Sequence, residues 1–154
     1  MPTFAAVQAS HAAYSYAPNH LPVAIFTGGT SGIGRAMVEA FARYIKGRAH
    51  IITIGRNREA GEAIVASFPK PVDCDDGWKH EFVSCYISLM FNIRSTCAAS
   101  IGRFERINFL VLGAGYVSFS LTKETSECDY CRPFIIYYRI IHLINLLAIR
   151  GRKT

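Results

Sequence analysis

Apolar residues fall along the chain in short unbroken runs that alternate with stretches of helical spacing. The first run, Val23–Thr27 (VAIFT), is partly β-branched, which predicts a strand buried on both faces of a parallel sheet. Beyond it Met37, Val38, Phe41, Tyr44 and Ile45 recur at helical spacing, and Lys46-Gly47 marks a stop. Ala49–Ile54 predicts a second strand. A second helix is expected over Arg58–Phe68, ended by Pro69 and Pro71, before turn residues at Asp73–Gly77. Phe82–Ile87 is the third predicted strand, and Ile93, Cys97 and Ile101 share one helical face after it. Phe109–Leu112 is the fourth, followed by Gly113-Ala114-Gly115. This alternation predicts an α/β fold, a Rossmann-like three-layer sandwich with a partial parallel sheet of about four strands between helices.

Residues 1–21, rich in Ala, Ser, Tyr and Pro and without periodicity, read as a loose lead-in. The domain is expected over 22–149, and 150–154 reads as a basic tail. The stretch Pro133–Ile149 is apolar nearly all round but carries Arg139, His142 and Asn145. It falls short of the roughly 20 apolar residues a membrane-spanning helix needs. A buried or interface helix is expected there, not a membrane segment.

Composition narrows the choices. A chain of 154 residues suits one core, and 51% hydrophobic with 18% charged residues describes a globular chain. The net charge of +6 is scattered from Arg35 to Lys153 with no aromatic interleaving, so a phosphate-bearing small molecule is expected and nucleic acid is not. The five cysteines are an odd count, several set in apolar runs, which predicts a reducing compartment. Residues 1–22 show no basic start and no continuous apolar stretch, and the expected location is cytoplasmic.

The chemistry gathers at Thr27–Ala36, TGGTSGIGRA. A phosphate needs backbone N–H donors at close range, which a helix N-terminus supplies together with a favourable dipole. Gly28, Gly32 and Gly34 leave that approach open, Thr30 and Ser31 add hydroxyls, and Ile33 lies between the last two glycines. The context, after a buried strand and before an amphipathic helix, makes this a dinucleotide candidate. At the end of the second strand stand Gly55-Arg56-Asn57, with no acid until Glu59. An acid there would take a ribose hydroxyl, whereas Arg56 suits a 2′-phosphate, so NADP is expected over NAD and Arg56 and Asn57 join the cofactor set.

With these residues the chain resembles the short-chain dehydrogenase/reductase family, whose fingerprint T-G-x-x-x-G-x-G is matched by Thr27–Gly34. The resemblance runs from about Pro22 to Ile149 and implies strand order 3-2-1-4. It also implies an oxidoreductase that moves hydride between NADP(H) and a carbonyl or alcohol. The family's N-N-A-G turn corresponds to Leu112-Gly113-Ala114-Gly115, keeping Ala114 and Gly115 beside the cofactor but neither asparagine. Tyr86 stands where the family places an aspartate against adenine, with Ser88 close by.

The family's catalytic pair is Y-x-x-x-K, in which the lysine lowers the pKa of the tyrosine acid/base. None of the eight tyrosines, Tyr14, Tyr16, Tyr44, Tyr86, Tyr116, Tyr130, Tyr137 and Tyr138, is followed by lysine at that offset. Tyr44 with Arg48 is the nearest imitation, on the first helix; the family's fourth-helix asparagine would fall near Ile135 or Ile136, not at Asn145. No catalytic residue is assigned. The expectation is a truncated chain that keeps the dinucleotide-binding half and lacks the catalytic half. Two rivals stay open. One is a non-catalytic interaction protein, self-associating or completed by a partner chain through the fourth-strand edge and helix 133–149. The other is an enzyme whose acid/base comes from elsewhere. Cys128 and Cys131 form a C-x-x-C without a second pair and read as thiols in a loop or helix start. The histidines His11, His20, His50, His80 and His142 show no ligand spacing, so no metal is expected, and Ser118 and Ser120 read as loop hydroxyls.

Overall fold

The two most apolar runs lie side by side in the middle of a parallel sheet. The structure is a computed structural model that describes residues 1–14, 20–71, 77–101, 103–104, 106–114, 123–125 and 128–131. In chain order these form α1 (Phe4–Ala13), β1 (Val23–Thr27), α2 (Gly32–Tyr44), β2 (His50–Gly55), α3 (Arg58–Ala66), β3 (Lys79–Ser84), α4 (Met90–Ile101), β4 (Phe109–Leu112), β5 (Lys123–Thr125) and β6 (Cys128–Cys131). The main sheet runs β3-β2-β1-β4, all parallel, with Ile25 opposite both Ile52 and Leu110. The expected fold and strand order are therefore present.

Alternation along the central strands loads both faces. Ala24, Phe26 and Ile51 pack with Val38 and Ala42 of α2, Ile64 of α3, and Phe68. On the opposite face Ile25, Ile52, Ile54 and Cys85 form a second cluster, and partly buried Ile87 and Leu110 join it to Ile93 and Cys97 of α4. Two buried faces explain why these strands read as unbroken apolar runs. Burial, and then the neighbouring Cys85, push the Cys97 thiol up to about 11, so Cys97 acts as a small core hydrophobe.

The edge strand departs from expectation. β3 begins at Lys79, three residues before the predicted Phe82, because its first residues are held by polar contacts that an apolar pattern does not reveal. Arg103 grips Glu81 through Nη1–Oε1 at 2.7 Å and Nη2–Oε2 at 3.0 Å, and Lys79 Nζ adds a contact of 3.0 Å. His80 Nε2 donates to the Gly47 carbonyl at 2.8 Å, tying β3 to the turn after α2.

Two further elements differ from the sequence reading. The lead-in contains α1, capped by Thr3 Oγ1, which accepts from Ala6 N at 3.3 Å, and none of its residues is buried. Cys128 and Cys131 lie in a strand, not in a loop or helix start, because β6 pairs antiparallel with β5 through the backbone ladder. Gly115, Ser118, Ser120, Asn145, helix 133–149 and the tail lie outside the described residues. No helix among the described residues is long and apolar enough to cross a membrane.

The polar contacts at this end of the sheet set a pH dependence. His50 and His80 are both held below the ordinary histidine value, burial being the main cause. Burial alone would raise Glu81, but hydrogen bonds from Arg103 and Lys79 outweigh it and hold the carboxyl below its usual range. Above about pH 6.5 the histidines are neutral in both states and contribute nothing against folding. Below it the unfolded chain takes up protons that the folded chain resists, so stability falls as pH falls, and Glu81 extends the loss further into acid. Thermal melts should be level at neutral pH and decline between about pH 6.5 and 5, less steeply in a His50→Gln, His80→Gln variant. An unchanged midpoint over that range would refute the assignment.

Candidate functional site

β1 delivers the chain into a turn fastened on both sides. Gly28 N donates to Ile54 O at 2.8 Å, Gly113 N donates to Thr27 O at 2.9 Å, and Thr27 Oγ1 donates to Val111 O at 3.4 Å. The turn thus sits over the C-terminal ends of β1, β2 and β4. The sheet order reverses between β1 and β4, and that switch point is where open α/β sheets leave a ligand crevice.

Two glycines make the packing possible. Gly28 has φ +78°, and a Cβ there would lie 2.6 Å from Ala114 Cα, so the turn and the segment after β4 meet backbone to backbone. A Cβ on Gly34 would strike the Gly28 carbonyl oxygen, so the first turn of α2 lies directly against the loop that precedes it. Thr30 reaches sideways, its methyl filling the place that a side chain on Gly55 would occupy, and so joins the turn to the end of β2.

What this packing presents is an uncapped helix start. Ser31 is the N-cap of α2, but its side chain makes no capping hydrogen bond. The first helical bond runs from Arg35 N to Ser31 O at 3.2 Å, so the amides of Gly32, Ile33 and Gly34 have no acceptor within the helix. No acidic residue lies in this first turn, and the space over Gly32 is open. Positive dipole, unclaimed amides and a free hydroxyl form a cradle for a phosphate group. Ile33, between Gly32 and Gly34, is 81% exposed.

The remaining candidates are distributed around this cradle. Arg56 is exposed at the end of β2, and its guanidinium carbon lies 5.9 Å from the centroid of the Tyr86 ring. Asn57 Oδ1 accepts from Ala60 N at 3.1 Å, so this side chain caps α3. Ala114 packs against Gly28, while Gly115 is outside the described residues. Tyr44 donates its hydroxyl to His11 O at 2.8 Å, so the Tyr44–Arg48 imitation faces α1 and not the crevice. Arg56 and Tyr86 stand far apart in the sequence; their contact follows from the pairing of β2 with β3, which no local pattern encodes.

The residues present fit a dinucleotide. The cradle has the donors a pyrophosphate would need, and the exposed arginine stands one strand away, on the side where open α/β sheets of this order would extend an adenosine ribose. A family profile described as short chain dehydrogenase matches residues 22–136. An oxidoreductase of Emericella nidulans is 31% identical over 144 residues, which are 93% of this chain and 41% of that protein. A 3beta-hydroxysteroid dehydrogenase of Mediterraneibacter gnavus is 34% identical over 107 residues, 70% of this chain and 36% of that protein. The chain thus spans less than half the length of these relatives. Among solved structures, a short-chain dehydrogenase from Sphingobium yanoikuyae in complex with NADPH superposes with a TM-score of 0.61 at 20% identity, covering 84% of this chain and 48% of that one. L-sorbose reductase from Gluconobacter frateurii, complexed with NADPH and L-sorbose, gives 0.54 at 25% identity, covering 85% and 46%.

Proposed function

Because the chain belongs to the short-chain dehydrogenase family, we propose that it holds a nicotinamide dinucleotide at the turn between β1 and α2 and prefers NADP(H) to NAD(H). The observation that carries this reading is the uncapped start of α2 at the switch point, with open space over Gly32. The amides of Gly32, Ile33 and Gly34, with the hydroxyls of Ser31 and Thr30, take the pyrophosphate. Ala114, packed against Gly28, lines the ribose side. Arg56 takes the 2′-phosphate, consistent with the absence of an acid at that strand end. The NADPH held in the Sphingobium yanoikuyae and Gluconobacter frateurii structures supports the same choice.

When bound, the nicotinamide gives or accepts a hydride, and the substrates in view are a carbonyl and its alcohol. No tyrosine in the sequence is followed four residues later by lysine. Cofactor capture therefore falls to the residues above, and no acid/base is assigned among them.

A thermal-shift titration with NADPH and NADH tests the reading. Stabilisation should grow with ligand concentration by mass action and be larger for NADPH. In Arg56→Ala the NADPH preference should fall about tenfold or more, the loss of one charge-assisted contact. No shift with either ligand, from protein shown to be folded, would sink the proposal.

A further inference from the structure

The last paired residues of β2 and β3 are Gly55 and Ser84, and Cys85 N donates to Gly55 O at 2.9 Å, extending the ladder one step. The residues that follow, Arg56 and Tyr86, therefore leave the sheet at the same edge. The ring belongs to the better fixed of the two. The Tyr86 carbonyl accepts from Leu89 N at 3.2 Å and from Asn92 Nδ2 at 3.2 Å, which fastens its backbone to the start of α4. The arginine stem is long and exposed. Among the described residues no carboxylate pairs with it, and its recorded contact is the ring face at 5.9 Å, within cation–π range. Tyr86 is itself 47% exposed, so the pair stands open to solvent just beyond the ends of β2 and β3.

We infer that Tyr86 is a positioning residue for cofactor choice: its ring holds the Arg56 guanidinium at the ends of β2 and β3, already placed to receive the 2′-phosphate of an adenine dinucleotide. The inference rests on the cofactor reading above and adds a residue to it. An arginine makes its donors useful only after its stem is ordered, and an aromatic face orders it without neutralising its charge. The tyrosine leaves those donors to the ligand, and the 2′-hydroxyl of NAD(H) gains nothing from them.

Isothermal titration with NADPH and with NADH, on wild type, Tyr86→Leu, Tyr86→Phe and Arg56→Ala, tests this. Tyr86→Leu should lower the NADPH-to-NADH affinity ratio about two- to five-fold, the range expected for an exposed cation–π contact. Tyr86→Phe keeps the ring and should keep the ratio. In an Arg56→Ala background, Tyr86→Leu should leave the ratio where Arg56→Ala alone puts it. An Arg56-dependent NADPH preference that Tyr86→Leu leaves intact, or that Tyr86→Phe loses equally, would overturn this inference alone. Binding of neither dinucleotide by folded wild type would overturn the cofactor reading and this inference with it.

Discussion

Gly34→Ala is expected to cost about a hundredfold or more in dinucleotide affinity while changing thermal stability little. The added methyl collides with the Gly28 carbonyl oxygen, a backbone atom held by the bonds that fasten the turn, so the start of α2 has to move instead. Two effects on stability oppose each other. Overpacking costs roughly 1–3 kcal/mol. Replacing glycine by alanine inside a helix returns about 1 kcal/mol. Affinity has no such offset, because moving the helix start carries the amides of Gly32, Ile33 and Gly34 away from the phosphate together. Two lost hydrogen bonds to a charged group, at about 1.5–3 kcal/mol each, already exceed the ~2.8 kcal/mol of a hundredfold change. Melts with and without NADPH separate the two quantities. An undiminished NADPH shift in Gly34→Ala would mean that the phosphate is held elsewhere.

Phe26→Ala should do the reverse, unsettling the fold and leaving the site's own affinity in place. Phe26 lies in β1 at 2% exposure, its ring 5.4 Å from that of Phe41, which in turn lies 5.2 Å from Phe109. Truncation removes the ring that joins the central strand to α2 and leaves a void between them. The loss is about 3–5 kcal/mol, a large part of the ~5–15 kcal/mol of a typical domain. At roughly 2–4 °C per kcal/mol for a chain of this size, the midpoint should fall by about 6–20 °C. Below the new midpoint, NADPH should still raise Tm by the increment seen in wild type. A fall under about 5 °C would show that the face toward α2 and α3 does not carry the stability its burial implies.

The two predictions draw on parts of the molecule that were unequally visible in the sequence. β1 and β4 form over the residues their apolar runs mark, Val23–Thr27 and Phe109–Leu112, because both follow the rule for buried parallel strands. The glycine turn was legible for a similar reason: strand, glycines and amphipathic helix are local and contiguous. β3 was misplaced by three residues because its stability at that end comes from Arg103, twenty-odd positions away, reaching Glu81. α1 escaped notice because it buries nothing and so has no apolar stripe to detect; its Thr3 cap was the available signal. At the site, the side-chain Oδ1 of Asn57 caps α3, a local role that the cofactor pattern alone does not reveal. The contact between Arg56 and Tyr86 was beyond reach, since it depends on the register between two strands separated by a helix.

That register ties the neighbourhood of Arg56 to residues that never approach a ligand. Side chains along a strand alternate faces with a period of two, so a slip of one residue between β2 and β3 would turn every β3 side chain to the other face. It would take Val83 out of its cluster, break the pairing of Ser84 with Gly55 and carry Tyr86 away from Arg56 in a single step. Before β3, the exposed Lys70 tolerates exchange, while the buried Phe68 close to it does not. Inside β3, inheritance is stricter: a point substitution alters one side chain, whereas a one-residue deletion rewrites the core, the strand edge and the surroundings of Arg56 together. Lineages that change their cofactor by this route would have to do so by exchanging residues at fixed positions, never by shifting the strand.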